Sequence, residues 1–176
     1  MLRIRTDRLE LIAADLALIE ADLADRARFS AMLGAQITPE WPPAILVDVI
    51  PVYRDLIRDQ PTLAGWLLWY GVLRAAPSPV LVGSAGFIGP PDIAGMVEIG
   101  YSVVPGFQAR GIAPEMVRAL ADWVFSHAGV AGIRAETADG NLGSRKVLER
   151  CGFRFSGKGN EPDTVLYCLL RPGLDR

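Results

Sequence analysis

The run Gln108-Ala109-Arg110-Gly111-Ile112-Ala113-Pro114 opens a helical pattern and combines the residue types that a phosphate cradle needs. A helix N-terminus leaves about four backbone N–H groups without intrahelical partners, and the helix dipole makes that spot positive by roughly half a charge. Gly111 and Ala113 carry little or no side chain, so the oxygens of a diphosphate can approach the main chain there. Gln108 and Arg110 offer polar donors to the same ligand. Pro114 suits the first turn because its missing N–H costs no helix bond. From these residues alone, a plain glycine-bearing loop before a helix is the alternative. A P-loop is excluded because no Gly-x-x-x-x-Gly-Lys-Ser/Thr occurs, and a dinucleotide fingerprint is excluded because no Gly-x-Gly-x-x-Gly occurs.

Other reactive residue types are sparse. The single histidine, His127, ends a helical stretch without a partner histidine, and Cys151 and Cys168 stand outside any Cys-x-x-Cys or metal-ligand spacing. The expectation is two small buried thiols, no metal and no Ser-His-Asp triad. Glu98 is the candidate general base. It lies on a strand face with Met96, Gly100 and Ser102, opposite Val97, Ile99, Tyr101 and Val103. Beside an apolar cleft lined by Trp66, Trp69 and Tyr70, its carboxyl would be a better base than a solvated one. The competing reading is a strand glutamate satisfied by an arginine. Glu161 and Asp163 are the reserve candidates, and Tyr167 reads as core.

The elements that must position these residues alternate along the chain. Leu2 to Ile12 reads as a first strand interrupted near Thr6-Asp7. Asp15 caps a helix bearing Leu16, Ile19 and Leu23, and Leu46 to Ile57 shows one apolar helical face after the breaker-rich Thr38–Pro43. Gly65–Arg74, Val80–Ile88 and Met96–Val104 read as strands, with breakers at Ala76–Pro79 and Gly89–Asp92. The alternation of the third fails at Val103-Val104, as at a bulge or the end of pairing. A helix over Pro114–Ala128, a strand over Ile133–Thr137, a short helix over Ser144–Cys151 closed by Gly152, and strands at Phe153–Phe155 and Thr164–Leu170 complete the chain. A strand-helix-strand run from Met96 to Thr137 implies a parallel crossover. The class is α+β or α/β with a mixed, largely antiparallel sheet.

The 176 residues suffice for one domain, and 51% are hydrophobic, which argues against disorder. The net charge is −2 with scattered basic residues, so the footprint of a nucleic-acid binder is missing. Leu63–Leu73 is too short to cross a membrane, and the N-terminus lacks the apolar core of a signal peptide. The expectation is a cytoplasmic protein with no membrane partner.

The stretch EIGYSVVPGFQARGIAPEMVRALADWVF, followed by RAETADGNLGSRKVLERCGF, resembles the GCN5-related N-acetyltransferases, and more narrowly the branch of the ribosomal-protein N-terminal acetyltransferases. Gln108, Gly111 and Ala113 match the family's Gln/Arg-x-x-Gly-x-Gly/Ala motif. Asn141, Ser144, Gly152 and Phe153 match its Asn-x-x-Ser helix ending in Gly-Phe, and the opening RTDRLEL is similar to the branch's first strand. The resemblance covers about residues 3 to 170 and implies a single N-acetyltransferase domain there. It implies an α/β/α acyl-CoA N-acyltransferase fold, with a twisted sheet of six to seven strands and a splayed pair that takes acetyl-CoA.

On that resemblance, Val103 and Val104 offer main-chain groups to the pantetheine arm, the N–H groups of Ala109, Arg110, Gly111, Ile112 and Ala113 take the diphosphate, and Asn141 and Ser144 hold the pantetheine side. Pro114 replaces a residue that in many relatives donates to the phosphates, and Leu148 replaces a tyrosine acid, which nominates Ser144 for that duty. The implied reaction moves acetyl from acetyl-CoA to an amine, on a small molecule or a protein N-terminus, by direct attack in a ternary complex. A main-chain N–H near Val103 or Val104 would meet the developing oxyanion. The other reading is an acyl-CoA-binding domain without turnover, acting as a sensor. Relatives of this kind are monomers or homodimers.

Overall fold

The apolar and charged residues at the N-terminus do alternate as strands, in two pieces. The computed structural model describes residues 1–74 and 78–173. Arg3–Arg5 (β1) pairs antiparallel with Leu9–Ala13 (β2), and the turn between them is closed by Thr6 donating its N–H to the Leu9 carbonyl at 3.0 Å. All five residues of β2 are buried. Leu9, Leu11 and Ala13 join the core on one face of the sheet while Ile12 joins the core on the other. This is the strand period of two applied to a sheet covered on both sides.

The helices of the first half cover one face. Asp15 caps Leu16–Ala24 (α1) by accepting from the Leu18 N–H at 2.9 Å, as the sequence suggests. Arg26–Leu33 (α2) is a helix that the sequence reading passed over. Asp25 caps it and Gly34 ends it. The apolar face expected over Leu46–Ile57 divides at Asp48 into Ala44–Val47 (α3) and Val49–Asp59 (α4). Between α2 and α3 the two-residue strand Gln36–Ile37 (β3) runs parallel to the start of Val80–Phe87 (β5).

Leu68–Leu73 (β4), β5 and Met96–Val103 (β6) form the antiparallel centre of the sheet. Of the breaker expected at Ala76–Pro79, Ala76 and Pro77 lie outside the described residues. Ile112–Phe125 (α5) then crosses over, so that Gly132–Ala138 (β7) lies parallel to β6. Leu142–Arg150 (α6), Arg154–Lys158 (β8) and Thr164–Leu170 (β9) follow. The order across the sheet is β1-β2-β4-β5-β6-β7-β9-β8, with β3 beside β5. Among the described residues there are nine strands instead of six to seven, because the first expected strand is divided and β3 is added.

Two cores result. One lies between the sheet and α5 with α6, where Met116, Val117, Leu120, Val124 and Leu148 pack against Leu11, Trp69, Val97 and Ile99. The other lies under α1, α2 and α4, around Leu18, Phe29, Ile50, Ile57 and Tyr70. These layers hold β6, β7 and the start of α5 in fixed relation, and the candidate site is built from those three elements.

Candidate functional site

β6 and β7 part company soon after they meet. They pair at Met96 with Gly132, Val97 with Ile133 and Glu98 with Arg134, and no further, although β6 continues to Val103 and β7 to Ala138. Among the described residues, beyond Glu98 the strand pairing of β6 is with β5 alone, and that of β7 with β9 alone. Main-chain direction along β6 follows from two bonds to the β5 side: Ile88 N–H to Glu98 O, and Val104 N–H to Val82 O, both 3.0 Å. Alternation then turns the main-chain groups of Ile99, Tyr101 and Val103 toward the gap. An extended ligand arm can satisfy peptide groups on such an edge as an added strand would.

This geometry corrects part of the sequence reading. Val103 faces the gap, but Val104 does not. The Val104 N–H is taken by Val82, and its carbonyl accepts from the Phe107 N–H at 2.9 Å. The physical reason is parity, since adjacent strand residues point their peptide groups to opposite neighbours. The Val103 carbonyl accepts from Gln108 Nε2 at 2.9 Å, so the Gln108 side chain braces the loop with one of its two amide hydrogens.

At the end of β6 a single 3-10 turn, Pro105–Phe107, leads to the cradle. Ala109 has φ +57° and Gly111 φ +75°, so two left-handed residues flank Arg110 and curl successive amides toward one side. Gly111 is the N-cap of α5 and no side chain caps the helix. Among the described residues, the N–H groups of Ala109, Arg110, Gly111, Ile112 and Ala113 donate to no protein acceptor. A non-glycine residue in the left-handed region costs on the order of 1–2 kcal/mol, and such strain concentrates where backbone is pre-shaped for a ligand. Ile112 is buried and anchors the turn in the core, while Arg110 is exposed with its guanidinium 5.3 Å from the Phe107 ring centre. Pro114 is buried in the first turn of α5.

A residue that the sequence reading left unused, Arg8, closes this corner. Its Nε donates to Glu115 Oε2 at 2.7 Å and its Nη1 to the Arg110 carbonyl at 2.9 Å. Thr6 Oγ1 and the Arg8 N–H also donate to Glu115 Oε1, at 2.5 and 3.0 Å. Burial pushes the Glu115 carboxyl up, but the bonds from Thr6 and Arg8 outweigh it and hold it below the usual carboxylate range. A carboxylate in the first turn would repel a phosphate, and the Arg8 guanidinium beside it offsets that charge. The signal was present in the Arg5–Leu11 stretch, but nothing local says which helix the turn will meet.

On the far side of the gap Asn141 caps α6, its Oδ1 accepting from the Ser144 N–H at 3.0 Å, which leaves its Nδ2 as the available donor. Ser144 Oγ lies 2.8 Å from the hydroxyl of Tyr101, which reaches over from β6. Burial is the main cause that pushes the Tyr101 phenol up to about 12. Arg145 is committed to Asp139 at 2.7 Å and to the Tyr167 hydroxyl at 3.2 Å. Leu148 is fully buried.

Glu98 leaves β6 on the face opposite Tyr101. Trp69, Ala85 and Tyr101 stand in register on the α5 side, so Trp69 does not border Glu98. Trp66 packs on that same side against Trp123 and Phe87. Tyr70 is on the Glu98 face, where its hydroxyl donates to Asp22 Oδ2 at 2.9 Å. The apolar cleft expected around Glu98 is therefore not formed by the two tryptophans. Instead Glu98 Oε2 lies 3.4 Å from Arg134 Nε, and Arg134 also reaches Asp92 Oδ2 at 3.0 Å. Arg134 is thus the neighbour of Glu98 as an ion pair and not as a hydrogen bond, and among the described residues the buried Arg134 Nε has no hydrogen-bond partner. Tyr53 borders the same carboxylate, and burial followed by the Glu98 charge raises its phenol.

The reserve acids, Glu161 and Asp163, are exposed in the β8–β9 turn, where the Glu161 N–H donates to Glu136 at 2.8 Å. His127 stacks edge-on with Trp123 and Trp66, and Cys151 and Cys168 are free and half-buried. Among the described residues no group of three His, Cys, Asp or Glu could hold a metal ion, and no helix is long and apolar enough to cross a membrane. A groove of about 550 Å³ runs along α5 beside β1, past Thr6, Glu115 and Trp123, and none of the predicted site residues lines it.

A parted strand pair that leads into an amide-lined helix start is the architecture of an acyl-CoA N-acyltransferase. The family model described as an acetyltransferase (GNAT) domain matches residues 13–154, and the chain belongs to that family as an acetyl-CoA-dependent N-acetyltransferase. It is 30% identical over 167 residues to YjdG of Bacillus subtilis (strain 168), an uncharacterized N-acetyltransferase, covering 95% of this chain and 98% of that one. Its fold is similar to that of a ribosomal-protein-S5-alanine acetyltransferase from Vibrio fischeri, with TM-score 0.70 at 17% identity and 100% of both chains covered. It is also similar to RimL, a ribosomal L7/L12 alpha-N-protein acetyltransferase solved in complex with coenzyme A, with TM-score 0.67 at 21% identity, covering 96% of this chain and 98% of that one.

Proposed function

We propose that residues 3–170 act as one N-acetyltransferase domain that moves the acetyl group of acetyl-CoA to a primary amine, on a protein N-terminus or a small molecule, by direct attack in a ternary complex. The observation that carries this reading is the β6 edge from Ile99 to the Val103 N–H, without a strand partner among the described residues, running into the five unpartnered amides at 109–113. The edge receives the pantetheine arm, the amides of Ala109 to Ala113 receive the diphosphate, and Asn141 Nδ2 reaches a pantetheine carbonyl.

The thioester then lies in the plane of the sheet. The acceptor approaches from the Glu98 face, and the Glu98 carboxylate, 3.4 Å from Arg134 Nε, draws in the ammonium and removes its proton directly or through water. The neutral nitrogen attacks the carbonyl carbon, a C–N bond forms, and the proton that the nitrogen then sheds follows the first through Glu98 to solvent. The Val103 N–H meets the oxyanion, and the C–S bond breaks with its electron pair going to sulfur. Ser144 Oγ–H supports the departing thiolate, which at a thiol pKa of about 8.5 is a tolerable leaving group. The chain works in the cytoplasm as a monomer or homodimer.

The test follows free thiol while the protein and acetyl-CoA are mixed with small amines and with peptides bearing alanine or serine N-termini. Thiol release that requires one acceptor class, and that falls at least tenfold in Glu98→Gln, supports the reading. Saturable binding of acetyl-CoA with no thiol release for any acceptor contradicts it.

A further inference from the structure

Ser144 is held at two points. Asn141 Oδ1 accepts from its N–H at 3.0 Å, and the Tyr101 hydroxyl donates toward its carbonyl at 3.1 Å while lying nearer, 2.8 Å, to its Oγ, so the one phenolic proton faces both oxygens. Among the described residues, Tyr101 is the only side chain bonded to Ser144 Oγ. Tyr101 belongs to β6, whose gap-facing edge includes its own main-chain groups, while Ser144 belongs to the first turn of α6 beyond the gap. The Tyr101–Ser144 bond therefore bridges the two walls between which the thioester would lie. A serine hydroxyl rotates freely and has one proton to give. If that proton is given to Tyr101, none is left for a leaving sulfur.

We propose that Tyr101 is a positioning residue that donates its phenolic proton in a hydrogen bond to Ser144 Oγ, so that the Ser144 hydrogen is free to point at the sulfur of CoA as the C–S bond breaks. This rests on the reading of Ser144 given above. No proton is transferred along the bridge: the electron pair of the C–S bond goes to sulfur, sulfur departs as a thiolate bearing the Ser144 hydrogen bond, and the proton lost by the acceptor nitrogen leaves through Glu98. The phenol keeps its proton throughout the working range because burial holds its pKa high. Leu148, fully buried four residues beyond Ser144 on the same helix, leaves no tyrosine on α6 to do this work, and the aromatic hydroxyl arrives instead from the strand.

The test is a double-mutant cycle on the full chain. Tyr101→Phe keeps the ring and its packing and removes only the hydroxyl. A hydrogen bond to a charged group corresponds to about 10- to 100-fold in rate, so kcat should fall at least about tenfold in Ser144→Ala and about five- to tenfold in Tyr101→Phe. Tyr101→Phe/Ser144→Ala should be no slower than Ser144→Ala. The calorimetric Kd for acetyl-CoA and its KM should stay within about twofold of wild type in Tyr101→Phe, with melting temperatures confirming that all three variants are folded.

Losses that multiply in the double variant, a Kd that weakens in step with kcat, or an unchanged kcat in Tyr101→Phe would each overturn the proposal. If Ser144→Ala alone retains full kcat, the role of Ser144 falls together with that of Tyr101, while acetyl transfer itself, read by thiol release, stands. If no variant and no wild-type sample releases thiol, the failure belongs to the proposed function.

Discussion

Replacing Gly111 with valine attacks the cradle at the residue whose backbone it depends on. Gly111 sits at φ +75°, where an L-residue pays on the order of 1–2 kcal/mol and a β-branched one sits at the upper end. A Cβ built there meets Arg8 Nη2 at 3.3 Å, a flexible side-chain atom, so the protein should fold with a loss of about that size. The γ-methyl groups crowd the approach to the neighbouring N–H groups. A hydrogen bond to a charged group contributes about 1.5–3 kcal/mol, so losing two phosphate contacts costs about 3–6 kcal/mol, or roughly 100- to 10,000-fold in Kd. Acetyl-pantetheine has the thioester and the arm but no diphosphate, so its KM should be unchanged. Calorimetry with acetyl-CoA, thiol-release kinetics with both donors and a urea melt are the assays. Equal weakening toward both donors, or an acetyl-CoA affinity within threefold of wild type in a folded variant, would refute the assignment of the diphosphate to this loop.

Three further outcomes follow from other contacts. Asp22 accepts from Trp41 Nε1 at 2.8 Å and from the Tyr70 hydroxyl at 2.9 Å, both from nearly buried rings, so Asp22→Ala should lose about 2–5 kcal/mol in urea unfolding. Burial raises the Asp22 carboxyl against the opposing bonds from Trp41 and Tyr70, so its contribution is full at acid pH and declines as pH climbs through its folded value. Asp22→Asn should therefore lose less than Asp22→Ala, and its deficit should shrink from about pH 4 toward neutrality; a deficit that grows would contradict this. Glu136 is held down to about 2, first by the Thr164 hydroxyl and then by the amides after β8, so its contribution is present above pH 4.5 and lost as pH falls through about 2. Acid unfolding of Glu136→Gln, followed by circular dichroism, should be flatter across that window. Leu148→Tyr overfills a closed core and should cost about 1–3 kcal/mol without raising kcat, and a variant both faster and no less stable would contradict that account.

The parts of the site that local chemistry dictates were readable from residues alone. Gly111 and Ala113 before a helical pattern announce the amide cradle, and the failed alternation at Val103-Val104 marks where β6 stops, whereas the helix expected from Ser144 starts at Leu142 with Asn141 as its cap. What escaped depends on register and tertiary approach. The Glu98–Arg134 pair exists because β6 and β7 meet in one parallel register, which no spacing within either strand reveals. Tyr101 alternates with Val97, Ile99 and Val103 and so reads as another core residue, since only the position of α6 turns its hydroxyl into a partner for Ser144. The mistaken cleft around Glu98 has a simple cause. Trp69 and Tyr70 are adjacent on β4 and must face opposite sides, so no single pocket can use both. α2 escaped because Phe29 and Leu33 are its only buried residues, too few for a helical stripe.

The central claim, that a CoA diphosphate rests on the amides of residues 109–113 while its arm runs along the free edge of β6, is most directly tested by amide-resolved NMR during titration with coenzyme A. The account predicts that the largest saturable shifts fall on Ala109 to Ala113, with further shifts at Ile99, Tyr101 and Val103, and that Val104, already bonded to Val82, moves much less. Saturation with those amides unmoved, and the shifts gathered instead along the groove between β1 and α5, would contradict it.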